Sequence, residues 1–313
     1  MTIDTYSLTQ YCVCLPETLS WGKIKLNRYP MDQKIINLYD EYTHSKLNRK
    51  DFMKKLALIT GSTALALTVL PLLENNYASA AGFEDDSITT ENITYPGAEG
   101  EMKAVLAKPK GKSKLGAVVV IHENRGLNPH IIDVTKRVAA AGFVALGIDA
   151  LSPFGGTPAD EDKGRELIGK LDPDKNLKNY LLGLEYLRTL EDTNGKTGCI
   201  GFCWGGGMAN KLAVADPKLQ AAVAYYGSQA KADEVSKIKA SIMLHYGGLD
   251  ERINAGIPAY EAALKENHID YKVYIYEGVN HAFNNDTSPT RYNEAAAKLA
   301  WQRSIDLFKI KLK

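Results

Sequence analysis

The sequence predicts an α/β fold in which a mostly parallel sheet is flanked by helices. From about Ile88 onward, short runs rich in β-forming residues alternate with longer runs of helical character. Some of the short runs, such as Ala117–Ile121, are apolar throughout, which is typical of strands that are covered on both faces. Alternation of such strands with helices favours a parallel sheet wrapped by helices.

The individual elements follow from the same patterns. A helix that begins near Ile131 stops at Gly142, and a longer helical region precedes the short strand Gly198–Gly201. The predicted strands are Met102–Lys108, Ala117–Ile121, Phe143–Ile148, Gly198–Gly201, Ala221–Tyr226, Ala240–Tyr246 and Tyr271–Tyr276. The predicted helices are Ile131–Ala141, Asn176–Leu190, Met208–Ala215, Ile257–Asn267 and Pro289–Lys309.

Composition excludes several classes of protein. Of 313 residues, 45% are hydrophobic and 24% are charged, which excludes a disordered, collagen-like or polytopic membrane protein. Lys and Arg number 38 against 37 Asp and Glu, so the net charge of +1 does not favour nucleic acid as a partner. The four cysteines, at positions 12, 14, 199 and 203, are too few for a disulfide scaffold and lack the paired clusters of a structural zinc site.

Residues 1–80 are predicted to be an N-terminal extension that carries an export signal at 49–80, ahead of one catalytic domain at 88–313. A charged run at 49–55 precedes the apolar stretch Leu56–Leu73, and Ala78-Ser79-Ala80 follows as a cleavage site after Ala80. The charged run resembles a bacterial twin-arginine signal in which Lys50 replaces the second arginine. We therefore expect a periplasmic or secreted protein, or a cytoplasmic one if the signal is not used.

Two further features of the extension bear on this expectation. Polar residues dilute the apolar stretch and Pro71 interrupts it, so we expect no stable membrane span in the mature protein. The alternative to export is an uncleaved amphipathic arm that packs on the domain. Met31 begins a polar helical stretch that would make an ordinary start for a signal peptide, and we hypothesise that translation starts there.

The motif Gly201-Phe202-Cys203-Trp204-Gly205-Gly206 lies between a short strand and an apolar helical run. This is the pattern of a nucleophile elbow, with cysteine in the position of the nucleophilic serine. Glycine is needed at 201 and 205 because larger side chains would collide in so sharp a turn. The helix N-terminus favours the thiolate, so Cys203 is the predicted nucleophile. A buried cysteine in a glycine-rich turn is the alternative.

The partners of such a nucleophile are an acid and then a histidine, each on a loop after a strand. Asp250 follows the strand Ala240–Tyr246, and His281 follows Tyr271–Tyr276. Asp250 would orient the imidazole of His281, which would transfer the proton. The sequence context of four other histidines favours structural roles: His122 and His245 as packed side chains, and His130 and His268 as surface residues. Cys199 is interpreted as a buried apolar side chain.

Together these motifs resemble the dienelactone hydrolase family, the cysteine branch of the α/β-hydrolases, over roughly residues 90–310. The matching segments are Gly201–Gly206, Tyr225-Tyr226-Gly227, the Gly-x-x-Asp that ends at Asp250, Gly278–Phe283, and Glu123 after the first core strand. The resemblance implies an α/β-hydrolase fold and a carboxymethylenebutenolidase-like activity.

The resemblance also implies roles for the loop after the first core strand. Glu123 would take the proton of the Cys203 thiol when substrate binds, although a salt bridge between Glu123 and Arg125 is the alternative for this residue alone. The main-chain N–H groups of Asn124 and Trp204 would form the oxyanion hole. Family members that take carboxylated lactones are expected to carry arginine four residues after the catalytic histidine, where this chain has Asn285.

We therefore expect a hydrolase of ester or lactone bonds that uses a Cys203–His281–Asp250 triad and a thioester acyl-enzyme. The expected partner is a small-molecule ester or lactone, without a metal or an organic cofactor. One alternative is a non-catalytic protein that keeps the fold to bind a hydrophobic ligand. Another is a thiol redox protein that uses Cys199 and Cys203, which the spacing disfavours because redox pairs are typically Cys-x-x-Cys.

Overall fold

The predicted α/β architecture is confirmed in the computed structural model, which describes residues 31–45, 47–77 and 82–313. An eight-stranded sheet has the order β1-β2-β4-β3-β5-β6-β7-β8. Strand β2 pairs antiparallel with both β1 and β4, and the other neighbouring strands are parallel. The strands are β1 Ile88–Gly97, β2 Gly100–Pro109, β3 Leu115–Ile121, β4 Val144–Ile148, β5 Thr193–Phe202, β6 Leu219–Tyr225, β7 Ser241–Gly247 and β8 Tyr271–Tyr276.

Helices cover both faces of the sheet, which explains why its central strands are apolar throughout. Alternate residues of β3 enter different cores: Val119 packs in the cluster that includes side chains of α6, α7 and α9, and Val118 in the cluster that includes α4 and α10. The helices are α1 Gln33–His44, α2 Arg49–Thr60, α3 Thr63–Leu73, α4 Pro129–Ala140, α5 Glu161–Ile168, α6 Pro173–Thr189, α7 Trp204–Ala215, α8 Glu251–Asn254, α9 Ile257–Glu266 and α10 Glu294–Lys311.

Several elements differ from the sequence-based prediction, and three of them bear on the edges of the fold and the site. Strand β1 was not predicted because most of its side chains are exposed or partly exposed, as expected for the edge of a sheet. The short helix α5 was not predicted either. The last helix begins at Glu294 and not at Pro289, because Asn293 caps it by accepting a hydrogen bond from the amide of Ala296. The preceding residues form turns, of which Thr287, Ser288 and Arg291 are buried, and Arg291 lines the site described below.

The first three helices belong to the same compact unit as the sheet, which comprises Asp32–Lys313. Helix α1 buries one face, formed by Ile35, Ile36, Leu38, Tyr39, Tyr42 and Thr43. Phe52 of α2 stacks on Tyr42 with ring centroids 4.4 Å apart. The described residues of 32–77, which we call the N-terminal arm, therefore pack on the domain as in the alternative to an export signal named above. Whether the arm is cleaved stays a prediction.

The apolar stretch of the predicted signal divides into α2 and α3. Gly61 ends α2 with a φ of 85°, a left-handed conformation that glycine adopts without strain. Among the helices of the described ranges, none alone is long and apolar enough to span a membrane. Helices α2 and α3 are long and apolar enough for a membrane span only when they are taken together, and the angle between them is 110°.

Candidate active site

Cys203 lies in the turn between β5 and α7. Its backbone has φ 55° and ψ −114°, a strained conformation for a residue with a side chain. The turn is tight enough that a Cβ on Gly201 would overlap the main-chain oxygen of Gly205, and one on Gly205 would overlap that of His122. The two glycines therefore allow the backbone to present the thiol at the carboxyl edge of the sheet.

His281 and Asp250 form a buried pair beside this turn. Asp250 follows β7 and His281 follows β8, so parallel strands bring both side chains to the same edge. Asp250 Oδ2 lies 2.6 Å from His281 Nδ1, and both side chains are almost fully buried. The carboxylate thus fixes the proton on Nδ1 and leaves Nε2 free. Within the described part of the chain, that Nε2 has no hydrogen-bond partner.

The thiol instead contacts a histidine from the N-terminal helix α1. His44 Nε2 lies 2.9 Å from Cys203 Sγ. The ring of His44 meets that of His281 edge-on, with centroids 4.6 Å apart. His44 Nδ1 lies 2.9 Å from the main-chain oxygen of Asp40 and 3.1 Å from its carboxylate, so Asp40 both accepts the hydrogen bond and supplies a negative charge. A second histidine with its own acid therefore faces the thiol.

The charges in this cluster stabilise one another. Burial opposes protonation of His44, but the interactions of its imidazole with Cys203 and with Asp40 outweigh burial and raise the pKa of His44. Burial would likewise raise the pKa of Asp40, but its interactions with the imidazoles of His281 and His44 and with the Arg252 guanidinium hold this pKa well below its usual range. The surroundings therefore favour a protonated His44 beside the sulfur of Cys203.

Glu123 lies in the same cluster but is held by neutral partners. Its carboxylate accepts hydrogen bonds from Asn285 Nδ2 at 2.9 Å and from the Tyr226 hydroxyl at 3.4 Å. The alternative of a Glu123–Arg125 salt bridge is wrong, because Arg125 pairs with Glu161. Asn285 is fully buried, and the bond that it donates to Glu123 keeps this amide in the interior.

The two predicted oxyanion-hole residues flank the thiol. Trp204 is the first residue of α7, where main-chain N–H groups have no acceptor within the helix. Asn124 follows β3, and its side-chain amide donates to the main-chain oxygen of Thr43 in α1 at 2.7 Å. The N-terminal arm is thus bonded directly to the loop that would hold the oxyanion.

Little space remains at the thiol while the arm is in place. The cavity that contains Cys203 has a volume of about 10 Å³, enough for about one water molecule. A cavity of about 270 Å³ lies on the Asp250 side, and one of about 560 Å³ lies on the Trp204 side. His44 lines all three cavities and so lies between the two larger spaces and the Cys203 thiol.

The remaining histidines are not at the thiol. His122 and His245 are fully buried, as predicted, and burial lowers the pKa of both. The prediction that His130 lies in a surface loop is wrong. It lies in α4, is 1% exposed, and its Nδ1 is 3.0 Å from the Asp286 carboxylate. His268 is exposed, as predicted.

Sequence reasoning missed His44 and Asp40. Both lie in a polar helical stretch that is typical of the start of a signal peptide. The apolar spacing of α1 at Ile35, Leu38, Tyr39 and Tyr42 could have indicated a helix that packs on the domain. Nothing in that spacing indicates which surface the helix covers.

Comparison with known proteins gives the following relationships. A sequence model described as the dienelactone hydrolase family matches residues 102–312, and one described as YqhI-like matches residues 23–62. A protein of Escherichia coli O157:H7 named "putative carboxymethylenebutenolidase" is 30% identical over 241 residues, which are 72% of this chain and 88% of that protein. A "putative hydrolase fragment" of Escherichia coli (strain K12) is 52% identical over 113 residues, 34% of this chain and 97% of the fragment.

A solved structure has the same fold. The crystal structure of a "putative dienelactone hydrolase" from Klebsiella pneumoniae subsp. pneumoniae MGH 78578 aligns with a TM-score of 0.66 and 26% sequence identity. The alignment covers 72% of this chain and 99% of that one.

Proposed function

Because the chain belongs to the dienelactone hydrolase family, we propose that it hydrolyses ester or lactone bonds through a Cys203–His281–Asp250 triad and a thioester acyl-enzyme. The observation that carries this proposal is the 2.6 Å contact between Asp250 and His281, which leaves His281 Nε2 free. Cys203 Sγ lies within 4.8 Å of a ring nitrogen of His281. Small movements on substrate binding would bring these groups together.

In the first half of the reaction, the proton of the Cys203 thiol passes to His281 Nε2, which leaves a thiolate beside an imidazolium. The thiolate attacks the substrate carbonyl carbon, and the carbonyl oxygen becomes negative. The main-chain N–H groups of Asn124 and Trp204 stabilise that oxyanion. The C–O bond to the leaving group then breaks, and His281 donates a proton to the departing oxygen. The acyl group remains bound to Cys203 as a thioester.

In the second half, His281 removes a proton from a water molecule that attacks the thioester. The C–S bond breaks, the carboxylic acid is released, and Cys203 returns as a thiolate. Asp250 stabilises the imidazolium in both halves. Activated esters and enol lactones suit this route because their leaving groups depart readily.

Substrate must displace His44, because the arm leaves only about 10 Å³ beside the thiol. The two larger cavities lie on either side of His44 and would join over Cys203 once its imidazole moves. We propose that, in the open enzyme, the two cavities hold the parts of the substrate on either side of the scissile bond. Asn285 is neutral and bonded to Glu123, so we expect neutral activated esters to be turned over at least as well as carboxylated dienelactone.

The test is trapping of the acyl-enzyme. We expect the His281→Ala variant, mixed with an activated ester, to accumulate an acyl group on Cys203 that peptide mass spectrometry locates. Cys203→Ala should fold normally and lose turnover, because Cys203 projects into the site. Wild-type turnover by Cys203→Ala, or acylation of a different residue, would show that the triad is assigned wrongly.

A further inference from the structure

We infer that His44, Cys203 and His281 form a binding site for a single zinc-like transition-metal ion, which closes the N-terminal arm over the nucleophile. One ligand atom from each of the three residues lies within 4.8 Å of the others. The site goes beyond hydrolysis, because metal binding needs only these ligands and no substrate.

The three donors have the chemistry that zinc prefers. Zinc sites in proteins combine histidine nitrogen with cysteine sulfur, whereas magnesium and calcium require oxygen ligands. His281 Nε2 is buried and, among the described residues, has no hydrogen-bond partner, so it presents a free lone pair. His44 Nε2 faces the sulfur of Cys203 at 2.9 Å. The three donor atoms come from different elements: Cys203 from the turn after β5, His281 from the loop after β8, and His44 from α1.

Both imidazoles are already oriented as metal ligands are. A histidine that binds zinc through Nε2 commonly donates its Nδ1–H to a carboxylate or a main-chain oxygen. His281 Nδ1 is held by Asp250 at 2.6 Å, and His44 Nδ1 by Asp40 at 2.9 Å and 3.1 Å. The carboxylates also lower the cost of placing a divalent cation in the interior.

The available space fits three protein ligands and a small fourth one. Zn–N and Zn–S bonds of about 2.0 and 2.3 Å place tetrahedral ligand atoms about 3.5 Å apart, so His44 and Cys203 would separate by about 0.6 Å. The cavity of about 10 Å³ beside the thiol could hold one water as the fourth ligand.

Metal binding would stop the proposed reaction. The lone pairs that Cys203 and His281 use in catalysis would be engaged by the ion, and the arm would be tied to the site through His44. The chelator-treated enzyme would therefore be active and the metal-loaded enzyme inactive. The proposed hydrolysis itself requires no bound metal ion.

The experiment measures Zn²⁺ binding directly, by competition with a chelating dye. The full chain is used with Cys12→Ser and Cys14→Ser, so that these two thiols cannot bind the ion. We expect one Zn²⁺ per chain, at least a 100-fold loss of affinity in His44→Ala, and a 10- to 100-fold loss in Asp40→Asn. The matched control is His268→Asn, which removes an exposed imidazole and tolerates the left-handed backbone there.

A second measurement identifies the sulfur ligand by its spectrum in the parent protein. Co²⁺ bound to the parent protein should show a thiolate-to-cobalt charge-transfer band that Cys203→Ala abolishes. Absence of stoichiometric binding by the parent protein would overturn the inference, as would unchanged affinity in His44→Ala or an unchanged cobalt spectrum in Cys203→Ala. Esterase activity, assayed separately with chelator present, reports on the proposed function alone.

Discussion

Replacing His44 by alanine should make the enzyme faster at low substrate concentration. In the closed arrangement the imidazole contacts the Cys203 sulfur at 2.9 Å and the His281 ring edge-on at a centroid distance of 4.6 Å. Both contacts exist only while the arm is docked. Truncation to alanine removes both and joins the cavities of about 270 and 560 Å³ over the thiol.

The size of the effect follows from those two contacts. A hydrogen bond to a charged group contributes about 1.5–3 kcal/mol, and an edge-on aromatic contact about 0.5–1.5 kcal/mol. In the open form, water replaces part of these interactions. We therefore expect His44→Ala to lose about 2 kcal/mol of the free energy of docking the arm, which changes the closed-to-open ratio by about 30-fold. Apparent substrate affinity decreases as the closed fraction increases. Because the variant has a smaller closed fraction, its kcat/KM should rise by up to about 30-fold and its kcat should change little.

The assay is steady-state hydrolysis of a neutral activated ester in the presence of a chelator, with His268→Asn as the control. The rate of Cys203 alkylation by iodoacetamide gives an independent measure of opening and should rise in parallel. A drop of tenfold or more in kcat for His44→Ala would refute the reasoning, because His44 would then take part in the reaction. Unchanged kcat/KM and alkylation would show that the arm does not restrict access.

Three further outcomes are expected. Asp250→Asn should lower kcat by about 10⁴-fold, because the amide no longer fixes the His281 tautomer; a loss below tenfold in steady-state kinetics would contradict the triad. Burial, aided by the charge of Arg303, lowers the pKa of His245 from 6.5 to about 3. The unfolded chain therefore takes up a proton that the folded chain does not, and this residue should reduce the free energy of unfolding by about 1.4 kcal/mol per pH unit as the pH falls from 6.5 toward 3. Denaturant titrations of His245→Gln should show a correspondingly flatter pH dependence, and an identical slope would contradict it. A chain that lacks residues 1–80 should remain active. If the export signal is used, the mature protein should begin near Ala81 in the periplasm without the arm, so the metal site and the closed arrangement belong to the uncleaved chain; intact mass and cell fractionation test this, and full-length cytoplasmic protein would contradict export.

Sequence patterns predicted those parts of the molecule that local chemistry determines. The turn around Cys203 needs glycine at fixed spacing, and apolar runs such as β3 are dictated by burial on both faces. The order of Asp250 and His281 along the chain, each after a strand, indicated that a parallel sheet would place them together. These features can be read within windows of a few residues.

The contact between His44 and Cys203 could not be predicted in this way. The two residues are 159 positions apart, and the surface that α1 covers is set by packing of its apolar face. Strand β1 was missed for a related reason, because an edge strand with an exposed face lacks a strong apolar pattern. The N-terminus of α10 was misplaced because the side-chain cap at Asn293 outweighs helical propensity in the preceding turn.

In the uncleaved chain, the closed arm also bears on how long the Cys203 thiol survives exposure to oxidants. A thiolate reacts with peroxide to give a sulfenic acid and then irreversibly oxidised forms, at a rate set by access to the sulfur. Cys203 is 7% exposed, and the His44 imidazole lies against the sulfur. Oxidants would therefore reach the sulfur chiefly when substrate does, so loss of activity in peroxide should follow the number of turnovers more closely than elapsed time.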